Sequence, residues 1–157
     1  MVLSRLISII DHVRPPLDVH AHCDLPCGVY DPAQARIEAE SVKAIAEKYQ
    51  ESKDEVFKER AIFIKEERAE LCKHHLWVLW TDYFKPEHLK KYPQLHELFW
   101  TATKTAGEAK HSVDPKKGQE LLDAIAKIDK IFWETKGEAK PKGEAKPKAK
   151  GKATKAA

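Results

Sequence analysis

The chain reads as an all-α protein, an up-and-down four-helix bundle with an N-terminal metal-binding hook. Three observations carry that reading. Apolar residues recur three and four apart through several long runs, no segment alternates with period two, and a cap residue followed by proline marks helix starts at Asp31-Pro32 and Asp114-Pro115. At 157 residues the chain is long enough for one domain with its own core and short for two. A charged content of 34% with only six glycines favours helices with solvated faces over sheet.

The first helix opens at Asp31-Pro32 and runs to about Gln50, with Ala35, Ala39, Val42, Ile45, Ala46 and Tyr49 on one face. The second is expected from Ser52, as cap, to about Asp82, with Glu55 completing a capping box. Its stripe is read as Val56, Ala61, Ile64, Leu71 and Leu79, broadened by Ile62, Phe63, Leu76 and Trp80. Lys85-Pro86 breaks that helix, and Pro86 starts a third, in which Pro93 makes a kink or a restart before an end near Ala106. Asp114-Pro115 opens the fourth, ending near Thr135, with Leu121, Leu122, Ile125, Ile128 and Phe132 inward. Short connections between four such helices define the bundle, at 31–136.

Outside the bundle the composition changes. From Gly137 to Ala157 the hexapeptide Gly-Glu-Ala-Lys-Pro-Lys occurs twice in tandem, and seven lysines against two glutamates give this tail a charge of +5. Such a Lys/Pro/Gly/Ala-rich segment cannot bury enough apolar surface to fold, so 137–157 is expected to be disordered. It is suited to weak electrostatic contact with nucleic acid or other anionic surfaces. The net charge of the chain is +3, and residues 1–21 balance Arg5 and Arg14 against Asp11 and Asp18; the part between is therefore slightly acidic, at −2. That charge, with no basic helix, speaks against nucleic-acid binding by the folded body.

No apolar run of about 20 residues exists to span a membrane. Residues 1–21 carry Arg5, an apolar run at Leu6–Ile10 and a signal-peptidase-like Val19-His20-Ala21. The apolar run is shorter than the roughly 7–15 residues of a secretory signal, and charges follow it closely. These residues are read as a leader removed by proteolysis in the cytoplasm. Three cysteines fit no even disulfide framework, and a Cys23–Cys27 bridge would close a tiny loop, so the thiols are read as reduced. Cys72 lies in a helical run and reads as a buried, inert thiol.

The densest chemistry is His22-Cys23-Asp24-Leu25-Pro26-Cys27-Gly28-Val29-Tyr30. Cys23 and Cys27 are four apart, and Pro26 with Gly28 supplies a turn that aims both sulfurs, with the His22 imidazole, at one metal ion. On the hook alone nickel and zinc stand level, since zinc with two Cys and one His usually recruits more distant ligands.

The stretch 22–40, His-Cys-Asp-Leu-Pro-Cys-Gly-Val-Tyr-Asp-Pro-Ala-Gln-Ala-Arg-Ile-Glu-Ala-Glu, resembles the mature N-terminus of the nickel superoxide dismutases. The likeness continues through 64–71, Lys73-His74-His75, Trp80–Pro86 and 128–136, and so covers nearly all of the folded part. It implies a superoxide dismutase working through a Ni(III)/Ni(II) couple with one nickel per subunit, made from a precursor cut between Ala21 and His22. After that cut the His22 α-amine, the Cys23 backbone nitrogen and the two thiolates can complete a square-planar N₂S₂ set that suits nickel, with the imidazole axial. The resemblance also implies that Tyr30 gates the open face as a proton donor and that Tyr83 bonds to it. It makes Asp24 a brace for the hook, and Glu38 with Arg68 the pair that holds the His22 imidazole. Pro26 is expected to follow a cis bond. Without the resemblance, Glu38 and Arg68 read as helix-surface charges, and Tyr30 as packing beside a cap.

The resemblance further implies a homohexamer. Trp77, Trp80, Phe84, Phe99 and Trp100 are expected to exceed what one small bundle buries. A nickel carrier or sensor using the same hook without turnover is the alternative function; the tyrosine pair favours the enzyme, because storage needs no proton-delivering face.

Overall fold

The structure, a computed structural model, describes residues 28–137. Helix α1 spans Ala33–Glu51, α2 Glu55–Val78, α3 Pro86–Lys91, α4 Leu95–His111 and α5 Pro115–Lys136, and a π-helical turn at Leu79–Tyr83 extends α2. No strand occurs among the described residues. Residues 1–21, expected to be a leader, residues 22–27 of the expected hook and the tail from 138 onward lie outside them.

Each of α1 and α4 packs on both α2 and α5, so the four long helices close a ring. The links 52–54 and 112–114 are too short for anything but a reversal, which makes α1/α2 and α4/α5 antiparallel. Helix α2 is antiparallel to α4 as well: Trp80, in the π-turn that extends α2, meets His96 and Phe99, whereas the earlier Lys65 reaches Ala109 and Lys110. This is the expected up-and-down bundle, with short α3 inside the α2–α4 connection.

Helices α1 and α5 keep the expected faces. Ala35, Ala39, Val42 and Ala46 are buried on α1, and Leu121, Ile125, Ile128 and Phe132 on α5. Helix α5 ends where Gly137 takes a left-handed conformation (φ 71°), a backbone state that glycine enters at no steric cost. Gly118 lets α1 and α5 approach closely, since a Cβ there would stand 2.7 Å from Lys43 Cα and Cβ.

Helix α2 departs from expectation at both ends and along its face. Asp54, not Ser52, is its cap: one carboxylate oxygen accepts from Val56 N–H at 3.0 Å and from Phe57 N–H at 3.3 Å. The Ser52 hydroxyl oxygen serves the preceding turn by accepting from Asp54 N–H. A carboxylate prevails at the helix start because it meets two unpaired donors and the positive end of the helix dipole. The buried seam is Ala61, Lys65, Ala69, Cys72, Leu76 and Leu79, whereas Val56, Phe63 and Ile64 face solvent. Leu76 and Leu79 lie inward as expected, but in the first half small residues and a lysine take the inward positions, so the large apolar residues there mark the wrong face.

Pro93 makes a restart, not a kink: α3 stops at Lys91, and α4 begins at Leu95 and runs five residues past the expected end, to His111. Of the five aromatics expected in surplus, Phe84 and Phe99 are buried inside the bundle and Trp80 is half-buried, while Trp77 and Trp100 are exposed. The two exposed tryptophans line a groove of about 300 Å³ with Trp80, His96 and Lys104. No helix among the described residues is long and apolar enough to cross a membrane.

Candidate metal centre

The described part of the hook enters at Gly28, whose φ of 71° turns the chain sharply ahead of Val29 and Tyr30. The Asp31 carboxylate then accepts from Ala33 N–H at 2.8 Å, which starts α1 directly after the tyrosine. Tyr30 is thus placed by a turn on one side and a helix start on the other. Its ring meets that of Tyr83 with centroids 5.7 Å apart and planes tilted by 57°.

Tyr83 owes its place to the π-turn. Phe84 N–H donates to Leu79 C=O, five residues back, and the widened turn carries Tyr83 onto α5 while Phe84 enters the core. The Tyr83 ring lies against Phe132 (4.4 Å), Phe84 (5.0 Å) and His88 (5.7 Å, planes within 25°). His88 is oriented in turn, because its Nδ1 accepts from Lys85 N–H at 3.2 Å and is therefore the unprotonated ring nitrogen. The Tyr83 hydroxyl lies 2.9 Å from Thr135 Oγ1 and 3.4 Å from the Phe132 carbonyl oxygen.

Further along the same α1–α2 seam, Arg68 donates to Glu38 at 3.4 Å and pairs with Glu67 at 3.1 Å. Between the two pairs the Cys72 thiol is fully buried and donates to Ala35 C=O at 3.4 Å. Burial, and then the charge of Glu38, push that thiol up to about 12, so Cys72 is neutral and unreactive at ordinary pH. Arg68 Nε is buried and has no hydrogen-bond partner among the described residues.

Of the site residues expected from the sequence, Tyr30, Tyr83, Glu38 and Arg68 are described, and they meet in two pairs along one seam. His22, Cys23, Asp24, Pro26 and Cys27 lie outside the described residues, so their arrangement and the peptide bond before Pro26 do too. Among the described residues no group of three His, Cys, Asp or Glu is placed to hold a metal. Sequence reasoning missed Thr135 and His88 as neighbours of Tyr83. Nothing local signals either one, since both depend on how α3 and α5 pack against the π-turn.

The described residues thus form a helical bundle that carries a tyrosine pair and a part-buried Glu38–Arg68 ion pair along one seam. Residues 17–136 match the family model of the nickel-containing superoxide dismutases, and the chain belongs to that family. It is 61% identical to the nickel superoxide dismutase of Streptomyces coelicolor over 135 residues, which is 86% of this chain and 98% of that protein. Its identity to the Streptomyces seoulensis counterpart is 62% over the same length and shares. A crystal structure of a nickel-containing superoxide dismutase with nickel ligation corresponding to the oxidised state superposes with a TM-score of 0.72 at 66% identity, covering 74% of this chain and 99% of that one.

Proposed function

We propose that this chain is a nickel-dependent superoxide dismutase, which converts two superoxide anions and two protons into dioxygen and hydrogen peroxide. Family membership carries this reading, and the seam that joins Tyr30 to Tyr83 and Glu38 to Arg68 supports it in detail.

The residues fit a nickel site of one ion per chain. His22, Cys23 and Cys27 would be its ligands, offering nitrogen and thiolate donors of the kind a soft divalent metal takes, and the family match selects nickel among them. Six residues, 22–27, reach at most about 20 Å back from Gly28, enough to return along the seam from Tyr30 toward Glu38. The unpartnered Arg68 Nε on that seam is a buried donor waiting for an acceptor, which a returning segment can supply. Bound there, nickel supplies the one-electron Ni(III)/Ni(II) couple that superoxide chemistry requires. The rest belongs to the chain. Glu38, steadied by Arg68, holds the His22 imidazole; Asp24 and Pro26 shape the hook; Tyr30, packed on Tyr83, covers the open face and passes a proton to the reacting oxygen.

Maturation and assembly complete the reading. A protease cuts between Ala21 and His22 and frees the α-amine as a ligand, which an amide nitrogen replaces poorly. The enzyme works in the cytoplasm, where the thiols stay reduced. Six copies assemble, and the groove with exposed Trp77 and Trp100 is the apolar surface suited to contact between copies. The basic tail makes weak contacts with anionic surfaces.

The test compares superoxide disproportionation and thiolate-to-metal absorption by the chain starting at His22 and by the full chain, each with and without nickel. Activity and the absorption bands are expected only for the nickel-loaded His22-start chain, and Cys23→Ser or Cys27→Ser should remove both. Full activity of the uncut chain would overturn the maturation step. Nickel binding without turnover would favour a carrier or sensor.

A further inference from the structure

We infer that Thr135, in the last turn of α5, is a positioning residue that dictates which way the Tyr83 hydroxyl points. The inference rests on the reading of Tyr83 as part of the active face.

Three oxygens meet at this point, and only two of them carry protons. Thr135 Oγ1 lies 2.8 Å from the Phe132 carbonyl, three residues back in its own helix, and 2.9 Å from the Tyr83 hydroxyl; the tyrosine lies 3.4 Å from the same carbonyl. The carbonyl can only accept. If the threonine proton goes to the carbonyl and the tyrosine proton to the threonine, both short contacts are hydrogen bonds. The opposite order would spend the tyrosine proton on the 3.4 Å contact and leave the 2.8 Å contact without a proton. The first order is therefore favoured, and Tyr83 is a donor to α5.

With its proton committed to Thr135, the Tyr83 hydroxyl has only lone pairs left to offer a second partner. A hydrogen bond formed with the neighbouring Tyr30 phenol must then run from Tyr30 to Tyr83, which makes Tyr30 the group that holds the mobile proton. The Tyr83 ring cannot swing away, because Phe132, Phe84 and His88 enclose it. Thr135 thus selects one of two hydroxyl directions that the packing of the ring alone leaves equivalent.

The experiment uses Thr135→Val, which keeps the branched shape and removes the hydroxyl, with Thr135→Ser as the conservative rescue and Tyr83→Phe as reference. The first readout needs no metal. The Raman ring doublet of tyrosine separates a donating from an accepting phenol, and subtracting the Tyr83→Phe spectrum of the full chain isolates Tyr83. A donating signature is expected in the parent and in Thr135→Ser, and its loss in Thr135→Val. The second readout is superoxide disproportionation by the nickel-loaded chain starting at His22. Thr135→Val should slow it roughly fivefold to tenfold, the worth of one neutral hydrogen bond, and Thr135→Ser should restore most of that loss. An unchanged doublet in Thr135→Val, or equal slowing by Val and Ser, would overturn the inference. If Tyr83→Phe itself leaves the rate unchanged while the doublet behaves as expected, the reading of Tyr83 as a site residue fails, and the catalytic role of Thr135 falls with it.

Discussion

The two halves of α2 are held in the bundle by opposite means. The C-terminal half, with its π-turn, buries Leu76, Leu79 and Phe84 and packs Trp80 and Tyr83 against Phe99 and Phe132. The N-terminal half offers Ala61, Lys65 and Ala69 to its neighbours, and Ala69 joins Val42 and Ala109 in a small separate cluster. Large rings hold the end that carries the tyrosine pair. Close backbone approach and one buried cation hold the other. The aromatic end gains many dispersion contacts in fixed geometry. The lean end must get its stability from a few polar contacts, so single changes there should be felt more than residue size suggests.

Lys65 tests that contrast most strongly. It is 2% exposed, and its Nζ donates to the carbonyls of Ala109 at 2.8 Å and Lys110 at 2.7 Å, the otherwise unpaired acceptors in the last turn of α4. Lys65→Ala removes both charged hydrogen bonds and leaves a cavity, so urea unfolding should show a loss of about 3 kcal/mol. Burial lowers the lysine's proton affinity; Glu66 on its own helix opposes the shift, and Lys110 across the contact is itself paired with Glu70. Because the folded pKa lies below the unfolded one, the unfolded chain binds more protons in the interval between them. Stability from this group therefore rises with pH up to about 10.5. The gap between parent and Lys65→Ala should accordingly widen as pH climbs through that interval, and a gap that narrows would contradict the placement.

Two glycines give the next sharpest comparison. Gly118 faces the Lys43 backbone of α1, where a Cβ would be 2.7 Å from Lys43 Cα, while a Cβ on Gly107 of α4 meets nothing within 4 Å. Gly118→Ala must push α5 off α1 and should cost about 2 kcal/mol. Gly107→Ala should instead add about 0.5–1 kcal/mol through helix propensity. Thermal melting of the two variants side by side decides it; melting points that move in the same direction would mean that the α1–α5 contact is looser than it looks.

Most of the fold was legible because its signals are local. Asp31-Pro32, Asp114-Pro115 and Lys85-Pro86 each act through neighbouring backbone groups, and α5 carries a full-size apolar stripe. The face of α2 was legible only in part: Ala61, Leu76 and Leu79 point inward as expected, but so do Lys65 and Ala69, while Val56, Phe63 and Ile64 point out. Hydrophobic periodicity weighs large residues, and here the close approach of helices selects small ones. The same distinction applies at the site. Glu38 and Arg68 look like ordinary surface charges in the sequence, and only the family resemblance singled them out before the α1–α2 packing set them 3.4 Å apart. Thr135 and the inward path of Lys65 had no counterpart in sequence pattern, because each depends on a partner more than forty positions away.

Cys72 stands where the two halves of α2 meet, and it should give the smallest effect. It is the free cysteine among the described residues, buried beside Ala35 and one helical turn from Arg68, so its neighbourhood invites a role at the metal. Its chemistry argues otherwise. A thiol raised to about 12 carries no thiolate at neutral pH, and thiolate is the form that binds a metal or attacks an electrophile. Cys72→Ser keeps a donor for the Ala35 carbonyl in nearly the same volume. Superoxide disproportionation by the nickel-loaded chain starting at His22 should stay within about twofold of the parent, and unfolding should shift by about 1 kcal/mol at most. An alkylating reagent should leave Cys72 of the folded chain unmodified and react after unfolding in urea. Rapid labelling of the folded chain would show that the seam opens at its centre, and the aromatic half would then be no more rigid than the lean one.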